Sequence, residues 1–322
     1  MVSNRWLSVV SAGVLALGLA ACGSDDDNNP DDGANGDGGS LSGSVLIDGS
    51  STVAPLSEAA AELFMGENGG VQVDVATSGT GGGFEKFCNG ETDISDASRP
   101  IGDDEIAICE ANSVAYEQLT VANDALSVVV HPDNPVDCLT VEQLTAMWGP
   151  DSTLASWSDV PDLEADFGEP LELYGPGPDS GTFDYFTEAV NGEEGAIRTD
   201  YNNIGENDES GIVGVEGSPG GLFFVGYTYF AENQDRVKAL QIDGGGGCVA
   251  PTEETAQDGS YAPLSRGLFI YVSSSALSKP EALAFVQFYI ENNDAISGAV
   301  GAIAMTQEQK DEATTQVDTL VG

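Results

Sequence analysis

Apolar and polar positions alternate along this chain at two spacings, one typical of strands and one typical of helices. Val71, Val73 and Val75 alternate with polar residues, which predicts a half-buried strand. Residues 280–292 begin with Pro and carry apolar residues at helical spacing, which predicts a helix. Strands are predicted to begin near residues 44, 70, 92, 125, 171, 221 and 268, and helices near 54, 84, 103, 139, 280 and 306. This order predicts an α/β fold with a largely parallel sheet and no internal repeat.

Three loops rich in hydroxyl side chains and glycine each precede a predicted helix. They are residues 48–64 (DGSSTVAPLSEAAAELF), 77–87 (TSGTGGGFEKF) and 174–186 (YGPGPDSGTFDYF). The start of a helix has free backbone N–H groups and a partial positive charge, so it attracts anions. In α/β sheets, ligands bind beyond the carboxyl ends of strands, which is where these loops are predicted to lie. We therefore expect one buried oxyanion, held by neutral donors from distant parts of the chain.

The N-terminal segment is predicted to direct export. Arg5 precedes a short apolar run at 7–19, and LAAC at 19–22 resembles a bacterial lipoprotein cleavage box. We expect residues 1–22 to form a lipoprotein signal peptide that is cleaved before Cys22, so that Cys22 becomes the lipidated first residue of the mature chain. An ordinary signal peptide with an incidental cysteine is the alternative. Residues 23–43 are rich in Gly, Asp and Asn, which predicts a flexible linker. The expected location is periplasmic or at the cell surface, anchored to the membrane.

The formal net charge of −45 is extreme, with 54 Asp and Glu against nine Lys and Arg. Such a surface repels nucleic acid, so a nucleic-acid partner is excluded. It also repels an anionic ligand at low ionic strength. Because the Debye length falls to about 3 Å at 1 M salt, that repulsion nearly vanishes in brine. We therefore expect a halophilic setting.

The cysteines other than Cys22 are Cys88, Cys109, Cys138 and Cys248, and an even number in an exported protein suggests two disulfides. Of the three possible pairings, we expect Cys88–Cys109, which closes a local loop, together with Cys138–Cys248. Free buried thiols are the alternative. A metal site is disfavoured because there is no CxxC and His131 is the only histidine.

Six motifs, in this order, resemble the PstS family, the phosphate-binding proteins of bacterial phosphate ABC transporters. The motifs are DGSSTVAP, SGTGGGF, DISDASRPI, PDSGTFDYF, GYTYFAEN and PLSRGLFIYV, which together span about residues 44–290. The resemblance implies a type II periplasmic-binding-protein fold, in which two α/β lobes joined by two crossing segments close on one ligand. It implies a first lobe of 44–123 plus 262–322 and a second lobe of 124–261.

The resemblance also implies a function and a set of ligand contacts. The protein would be a non-enzymatic monomer without a cofactor that captures inorganic phosphate and delivers it to an ABC permease. Carried over position by position, the phosphate-binding residues are Ser51, Thr52, Thr80, Gly81, Ser98, Ser180, Gly181 and Thr182. We add Arg99 to this set, and Arg266 is a weaker candidate.

Two departures from the family pattern concern charged residues. Some members place an Arg where this chain has Pro176, and some place an Asp, which accepts the proton of hydrogen phosphate, where it has Ser98. Arg99 is predicted to replace the missing cation. Asp96 lies two residues from Ser98, and it is the candidate acceptor if it reaches the ligand. Selectivity for phosphate over sulfate is the property that these departures put in question.

Three other interpretations follow from the same residues. The ligand could be another oxyanion, such as sulfate, molybdate or a phosphonate. An exported serine hydrolase would use Ser180 as nucleophile, but its base would have to be His131, which ends a predicted strand. A surface adhesion or sensor protein could keep the fold without transport.

Overall fold

The computed structural model describes residues 41–321. The predicted signal peptide, the lipidation at Cys22 and nearly all of the predicted linker lie outside the described residues. In the part that is described, strands and helices alternate as the sequence pattern predicts, so the α/β prediction is confirmed.

The described strands vary widely in length, from two residues to fifteen. They are β1 Gly43–Gly49, β2 Val71–Thr77, β3 Ile94–Ala97, β4 Tyr116–Val130, β5 Cys138–Thr140, β6 Glu172–Gly175, β7 Asn202–Asn203, β8 Gly221–Gly226, β9 Lys238–Ala239, β10 Gln241–Asp243, β11 Cys248–Val249 and β12 Ser265–Ser273.

Most of the described helices follow a strand directly or after a short loop. They are α1 Ala54–Glu67, α2 Gly79–Cys88, α3 Asp103–Ala111, α4 Val141–Trp148, α5 Gly181–Asn191, α6 Asp208–Gly217, α7 Tyr227–Glu232, α8 Glu253–Gln257, α9 Ser274–Leu277, α10 Pro280–Glu291, α11 Asn293–Val300 and α12 Gln307–Val321. A short 3-10 helix spans Trp157–Asp159.

The main sheet has nine strands, in the order β2-β1-β3-β12-β4-β8-β6-β7, with β9 beside β4. Strands β1, β2 and β3 are mutually parallel, as are β6, β7 and β8. The two strands between these groups, β12 and β4, run antiparallel to each other and to their outer neighbours. The prediction of a largely parallel sheet is therefore correct for the two outer groups of strands. It is wrong at the centre of the sheet, where the long strands β4 and β12 are antiparallel.

The buried apolar residues form separate clusters on the two sides of the sheet centre. One cluster draws its residues from 45–122 and 268–317. A second draws them from 125–264, together with Ile303. Strand β4 contributes to both, because Leu119, Val121 and Ala122 lie in the first cluster, and Ala125, Leu126, Val128 and Val130 lie in the second. The chain thus passes from one core to the other within β4 and returns at the beginning of β12.

Both disulfides predicted from the sequence are present. Cys88–Cys109 joins the end of α2 to α3, and Cys138–Cys248 joins β5 to β11 across 110 residues of sequence. Among residues 41–321, no helix is both long and apolar enough to cross a membrane. The same residues contain no group of three or more His, Cys, Asp or Glu side chains placed to hold a metal ion.

Candidate functional site

The first anion-type loop connects β1 to α1 and is held by its own hydrogen bonds. The N–H of Ser50 donates to the Asp96 carbonyl oxygen at 2.9 Å, which fastens the loop to β3. The Ser50 hydroxyl then accepts the N–H of Thr52 at 3.2 Å. These bonds leave Ser51 exposed and Thr52 half-buried at the start of α1, where a hydroxyl can turn towards a ligand.

The second loop contacts the residues that follow β3 through the side chains of Thr80 and Ser98. The Thr80 and Ser98 hydroxyl oxygens are 3.1 Å apart, and the Ser98 N–H donates to the Thr80 hydroxyl at 3.3 Å. Helix α2 begins at Gly79, five residues before the predicted start, because the glycine-rich run itself forms its first turns. Thr80 therefore lies in the first turn of a helix, beside free backbone N–H groups.

The third loop follows β6 and leads into α5. Ser180 is the extended residue before the helix, is 8% exposed, and donates its N–H to the Gly177 carbonyl oxygen at 3.1 Å. Gly181 begins α5 close to the first loop, since a methyl group built on it would lie 3.5 Å from the Thr52 hydroxyl oxygen. The two loops thus face each other, although Thr52 and Gly181 border different apolar cores.

These loops enclose a cavity of about 110 Å³, which is far smaller than the 300–1,000 Å³ typical of sites for drug-sized ligands. It is lined by Ser50, Ser51, Thr52, Gly79, Thr80, Ser98, Gly181, Asp184, Tyr185, Glu188, Glu194 and Arg266. Of the nine predicted site residues, Ser51, Thr52, Thr80, Ser98 and Gly181 line this cavity. Gly81, Arg99 and Ser180 do not, and Thr182 instead lines a separate groove with Thr228 and Val300.

The cation that lines the cavity is Arg266, not Arg99. Arg99 forms two hydrogen bonds with the Glu105 carboxylate, at 2.9 and 2.8 Å, and its side chain is 44% exposed. Arg266 approaches Asp124 at 3.2 Å and the Thr52 hydroxyl at 3.4 Å. Its guanidinium also lies 3.7 Å from the centre of the Tyr185 ring, a cation–π contact. Arg266 is therefore held rigidly with part of its charge directed at the first loop.

Asp96, the candidate proton acceptor, lies beneath the cavity and does not line it. Its side chain is fully buried, and one carboxyl oxygen accepts the Ser57 hydroxyl at 2.8 Å. Burial raises the pKa of Asp96 to about 8, against the opposing effect of the Ser57 hydrogen bond. The carboxyl is thus neutral near pH 7 and has no direct path to the ligand.

Three carboxylates that the sequence pattern did not single out line the cavity as well. Asp184 and Glu188 lie one turn apart on α5, and Glu194 lies in the loop that follows. Burial raises the pKa of Asp184, Glu194 and Glu188 raise it further, and Arg266 lowers it. A pattern was available in the sequence, because Asp184 and Glu188 follow Ser180 at helical spacing and so share its side of α5.

The arrangement of a serine hydrolase is not formed around Ser180. His131 is the only histidine in the sequence, and its ring nitrogen accepts the N–H of Asp133 at 3.0 Å in a turn after β4. It is not among the residues that line the cavity. A larger cavity of about 470 Å³ lies beside Cys138–Cys248, but its lining combines carboxylates with apolar side chains and contains none of the three loops.

The model of the PBP superfamily domain matches residues 35–293. The protein SphX of Synechocystis sp. is 42% identical over 304 residues, which cover 93% of this chain and 85% of SphX. The phosphate-binding protein PstS of Staphylococcus saprophyticus is 35% identical, with 96% of this chain and 94% of that protein covered.

A solved structure agrees with these relatives. The crystal structure of a possible phosphate binding protein from Planctomyces limnophilus is 41% identical to this chain and has a TM-score of 0.82. The match covers 88% of this chain and all of that one. The fold is therefore the type II periplasmic-binding-protein fold that the sequence predicts.

Proposed function

The chain belongs to the PBP superfamily, together with the proteins SphX and PstS, and we propose that it is the phosphate-binding component of a phosphate ABC transporter. It is a binding protein and not an enzyme. The observation that carries the proposal is the meeting of three hydroxyl-rich helix starts on one cavity of about 110 Å³. Hydroxyl and N–H donors suit a tetrahedral oxyanion because each hydrogen bond to it is charge-assisted.

The proposed ligand set is the predicted one, adjusted by where the side chains lie. Ser51, Thr52, Thr80, Ser98 and Gly181 contact phosphate. Ser180, Thr182 and Gly81 support the same loops, through the backbone at the starts of α5 and α2. Arg266 supplies the positive charge in place of Arg99.

Capture depends on closure of two lobes. The two apolar clusters support lobes of 44–123 plus 262–322 and of 124–261, joined by β4 and β12. Thr52 and Gly181 belong to different lobes in this division, so their approach provides contacts that exist only in the closed form. A ligand that bonds to both lobes shifts the hinge equilibrium towards closure.

Delivery requires a membrane partner, and we propose that this is the ABC permease of the transporter. The protein acts outside the cytoplasm as a monomer, attached to the membrane through a lipid on Cys22. The lipid attachment at Cys22 can be tested by expressing the protein in bacterial cells supplied with a radioactive fatty acid. The wild-type chain is expected to carry the label, and a Cys22→Ala variant is expected to lose it.

Calorimetric titration of the full-length protein with phosphate at 2 M NaCl tests the function and the cation together. We expect tight binding to wild type and a loss of about 30-fold or more in Arg266→Gln, because a buried charged hydrogen bond is removed. Arg236→Gln is the matched control, since Arg236 pairs with Glu209 and Glu216 away from the cavity. Arg99→Gln is expected to stay within about threefold of wild type, because its partner is Glu105.

Two results would contradict the proposal in different ways. If no heat is released by phosphate in the folded wild type, the phosphate-binding function is wrong. If Arg99→Gln loses more affinity than Arg266→Gln, the function stands, but the sequence prediction of Arg99 as the ligand cation is the correct one.

A further inference from the structure

The two disulfides differ in their exposure to solvent. Cys88 is fully buried and Cys109 is 1% exposed, both within one apolar cluster. Cys248 is exposed and Cys138 is half-buried, and both line the cavity of about 470 Å³, a volume within the range of small-molecule sites. Because thiol–disulfide exchange needs access to a sulfur atom, Cys138–Cys248 is the bond that a reductant can reach in the folded protein.

This disulfide fastens a short strand at the end of a glycine loop. Strand β11 is two residues long and lies at the edge of the three-stranded sheet β11-β10-β5. Residues 244–247, which connect β10 to β11, are all glycine, and Gly245 and Gly247 have positive φ angles. Their N–H groups donate to the Asp243 carboxylate, which holds the first end of the loop. Because glycine loses much conformational freedom on folding, the other end depends on the Cys138–Cys248 bond.

The glycine loop packs against the segment that returns the chain towards the ligand cavity. A methyl group built on Gly244 would lie 2.3 Å from the Ala262 carbonyl oxygen, so the two backbones are in close contact. The next residue, Pro263, accepts the Tyr185 hydroxyl at 2.9 Å through its carbonyl oxygen. Tyr185 lines the ligand cavity, and the centre of its ring lies 3.7 Å from the Arg266 guanidinium. A continuous series of contacts therefore joins the disulfide to the cation of the ligand cavity.

We propose that Cys138–Cys248 is reversibly reduced by a dithiol outside the cytoplasm, and that reduction weakens phosphate binding by releasing the glycine loop from the Ala262–Pro263 segment. The effect on phosphate rests on the proposed function, whereas the exchange at the disulfide does not. Coupling between two sites requires an element with two arrangements, and here that element is the loop 244–247 together with β11. The loop is held while the disulfide is intact and is released once the bond is reduced.

The exchange takes two electrons and two protons from the dithiol. A thiolate of the dithiol attacks the exposed Cys248 sulfur, the Cys138–Cys248 bond breaks, and the Cys138 sulfur leaves as a thiolate that takes up a proton. The second thiol of the reductant then attacks the mixed disulfide and releases the Cys248 sulfur, which is protonated in turn. The reductant leaves as a disulfide. Reaction with an oxidised dithiol reverses these steps and restores the cross-link.

Alkylation of thiols in the folded protein tests the exchange site. The full chain carries Cys22→Ser, which removes the one cysteine outside the two disulfides. It is treated with dithiothreitol at 2 M NaCl, and the freed thiols are blocked with N-ethylmaleimide and located by peptide mass spectrometry. We expect Cys138 and Cys248 to be labelled at least about tenfold faster than Cys88 and Cys109, because a buried disulfide reacts only after local opening. Equal rates for the two pairs would overturn the inference.

Two reductants identify the source of the dithiol. Dithiothreitol is small enough to enter the cavity, whereas reduced thioredoxin carries its dithiol on a protein and has to contact the rim of the cavity. Reduction by dithiothreitol alone assigns a small dithiol, and faster reduction by thioredoxin at equal concentration assigns a protein. If neither reduces Cys138–Cys248 unless urea is added, the exchange site is wrong.

Calorimetric titration with phosphate tests the coupling to the ligand cavity. Selectively reduced protein is expected to bind phosphate about tenfold more weakly at 2 M NaCl, and re-formation of the disulfide should restore the affinity. Cys138→Ser/Cys248→Ser should bind as weakly as the reduced protein, and dithiothreitol should not weaken it further, because the target bond is absent. A phosphate affinity within about twofold of the oxidised protein after reduction would contradict the coupling. Absence of binding in the oxidised protein would instead contradict the proposed function, and alkylation would still decide whether exchange occurs.

A glycine substitution tests the same coupling while both disulfides stay intact. The methyl group of Gly244→Ala would meet the Ala262 carbonyl oxygen at 2.3 Å, so either the loop or the segment has to move. We expect its phosphate affinity to fall at least about fivefold. Gly246→Ala is the matched control from the same loop, because its φ is not positive and nothing lies within 4 Å of the added methyl group. It should stay within about twofold of wild type, and equal affinities of the two variants would exclude the route through Ala262.

Discussion

Asp96 is a buried carboxyl with no cationic partner among the described residues, and its pKa is raised as a result. Its side chain is fully buried on β3, with one oxygen bonded to Ser57 and the other without a hydrogen-bond partner in the described residues. Burial is the largest influence on its pKa, and the neighbouring charges of Asp48 and Glu58 add to it. The pKa of about 8 means that Asp96 stays protonated at neutral pH, where an ordinary aspartate is charged.

This shift predicts a pH dependence of stability with a definite sign. Between the ordinary pKa of 3.8 and about 8, folded Asp96 holds a proton that the unfolded chain has released. Stability attributable to Asp96 is therefore full below about pH 4, falls as pH rises and levels off above about pH 8. Asp96→Asn keeps a neutral acceptor for Ser57, so its melting temperature should rise relative to wild type as pH increases from about 5 to about 9. Thermal unfolding at fixed salt measures this difference.

Other carboxylates also titrate in that experiment, which is why the comparison is made between two proteins. The pKa of Asp48 is lowered through Lys86 and Ser78 against the opposing effect of burial, and this contribution is common to both. A constant gap between the two melting curves across the pH range would show that Asp96 is ionised in the fold.

Residues of the site differ in how far sequence could predict them. Ser51, Thr52 and Thr80 could be placed because each lies in a hydroxyl- and glycine-rich loop before a helix. The sequence could not show that Arg266, and not Arg99, is the cation that lines the cavity. That depends on which carboxylate pairs with each guanidinium in the folded protein. Glu105 lies in the first turn of α3 and bonds both Arg99 and the N–H of Gly102. That pairing is a property of the folded loop and has no pattern in the local sequence.

At the scale of elements, the packing of α2 on β1 decides where Thr80 lies. Gly83 is buried in α2, and a methyl group built on it would meet the Gly49 Cα at 2.5 Å and the Ser95 hydroxyl at 2.8 Å. Both contacts are too short for any real side chain to occupy without movement. Gly49 and Ser95 belong to strands of the main sheet. A methyl group at Gly83 would therefore push helix α2 away from the sheet.

Gly83→Ala is therefore expected to cost about 1–3 kcal/mol of unfolding free energy and to weaken phosphate binding, as Thr80 shifts with the helix. Gly66→Ala is the matched control, because nothing lies within 4 Å of the added methyl group near the end of α1. That change should be neutral or stabilise by up to about 1 kcal/mol. Urea unfolding and phosphate titration of both variants measure the effects. Equal stability of the two variants would mean that α2 is not tightly packed on β1.

The length of β4 shows why element boundaries were harder to predict than element types. The sequence pattern predicts a strand from near residue 125, where an apolar run starts, but β4 begins at Tyr116. Residues 116–124 contain Glu117, Gln118 and Asn123 and so lack a continuous apolar run. They form a strand because β12 supplies their hydrogen bonds along this part of β4, and α12 packs against it. Long-range pairing, which local pattern does not contain, extends the strand.

For the whole molecule, acidic side chains greatly outnumber basic ones, and the described basic side chains are all engaged in ion pairs. Every Lys and Arg within residues 41–321 pairs with a carboxylate: Lys86 with Asp48, Arg99 with Glu105, Arg198 with Asp200, Arg236 with Glu209 and Glu216, Lys238 with Asp137, Arg266 with Asp124, Lys279 with Asp93 and Lys310 with Asp294. Most of the acidic residues within the same described range therefore have no cationic partner. Their mutual repulsion opposes both compact folding and the approach of an anion.

Salt should relieve both effects, and the two can be measured separately. Raising the NaCl concentration from about 0.1 to about 2 M shortens the Debye length from about 10 Å to less than about 3 Å. We expect the melting temperature to rise by about 5–10 °C, as a few kcal/mol of repulsion are screened. The association rate of phosphate should rise about tenfold or more, because the acidic surface no longer repels it. The dissociation rate should change little, since contacts inside the cavity are screened much less.

Stopped-flow kinetics with a fluorophore at the cavity mouth distinguishes charge screening from a general effect of salt on hydrophobic burial. Sucrose stabilises folded proteins without screening charge, so it should raise the melting temperature and leave the association rate unchanged apart from viscosity. An association rate that falls with NaCl would mean that Arg266 and the helix starts attract phosphate more strongly than the acidic surface repels it. The net charge of −45 would then matter for solubility and stability but not for capture.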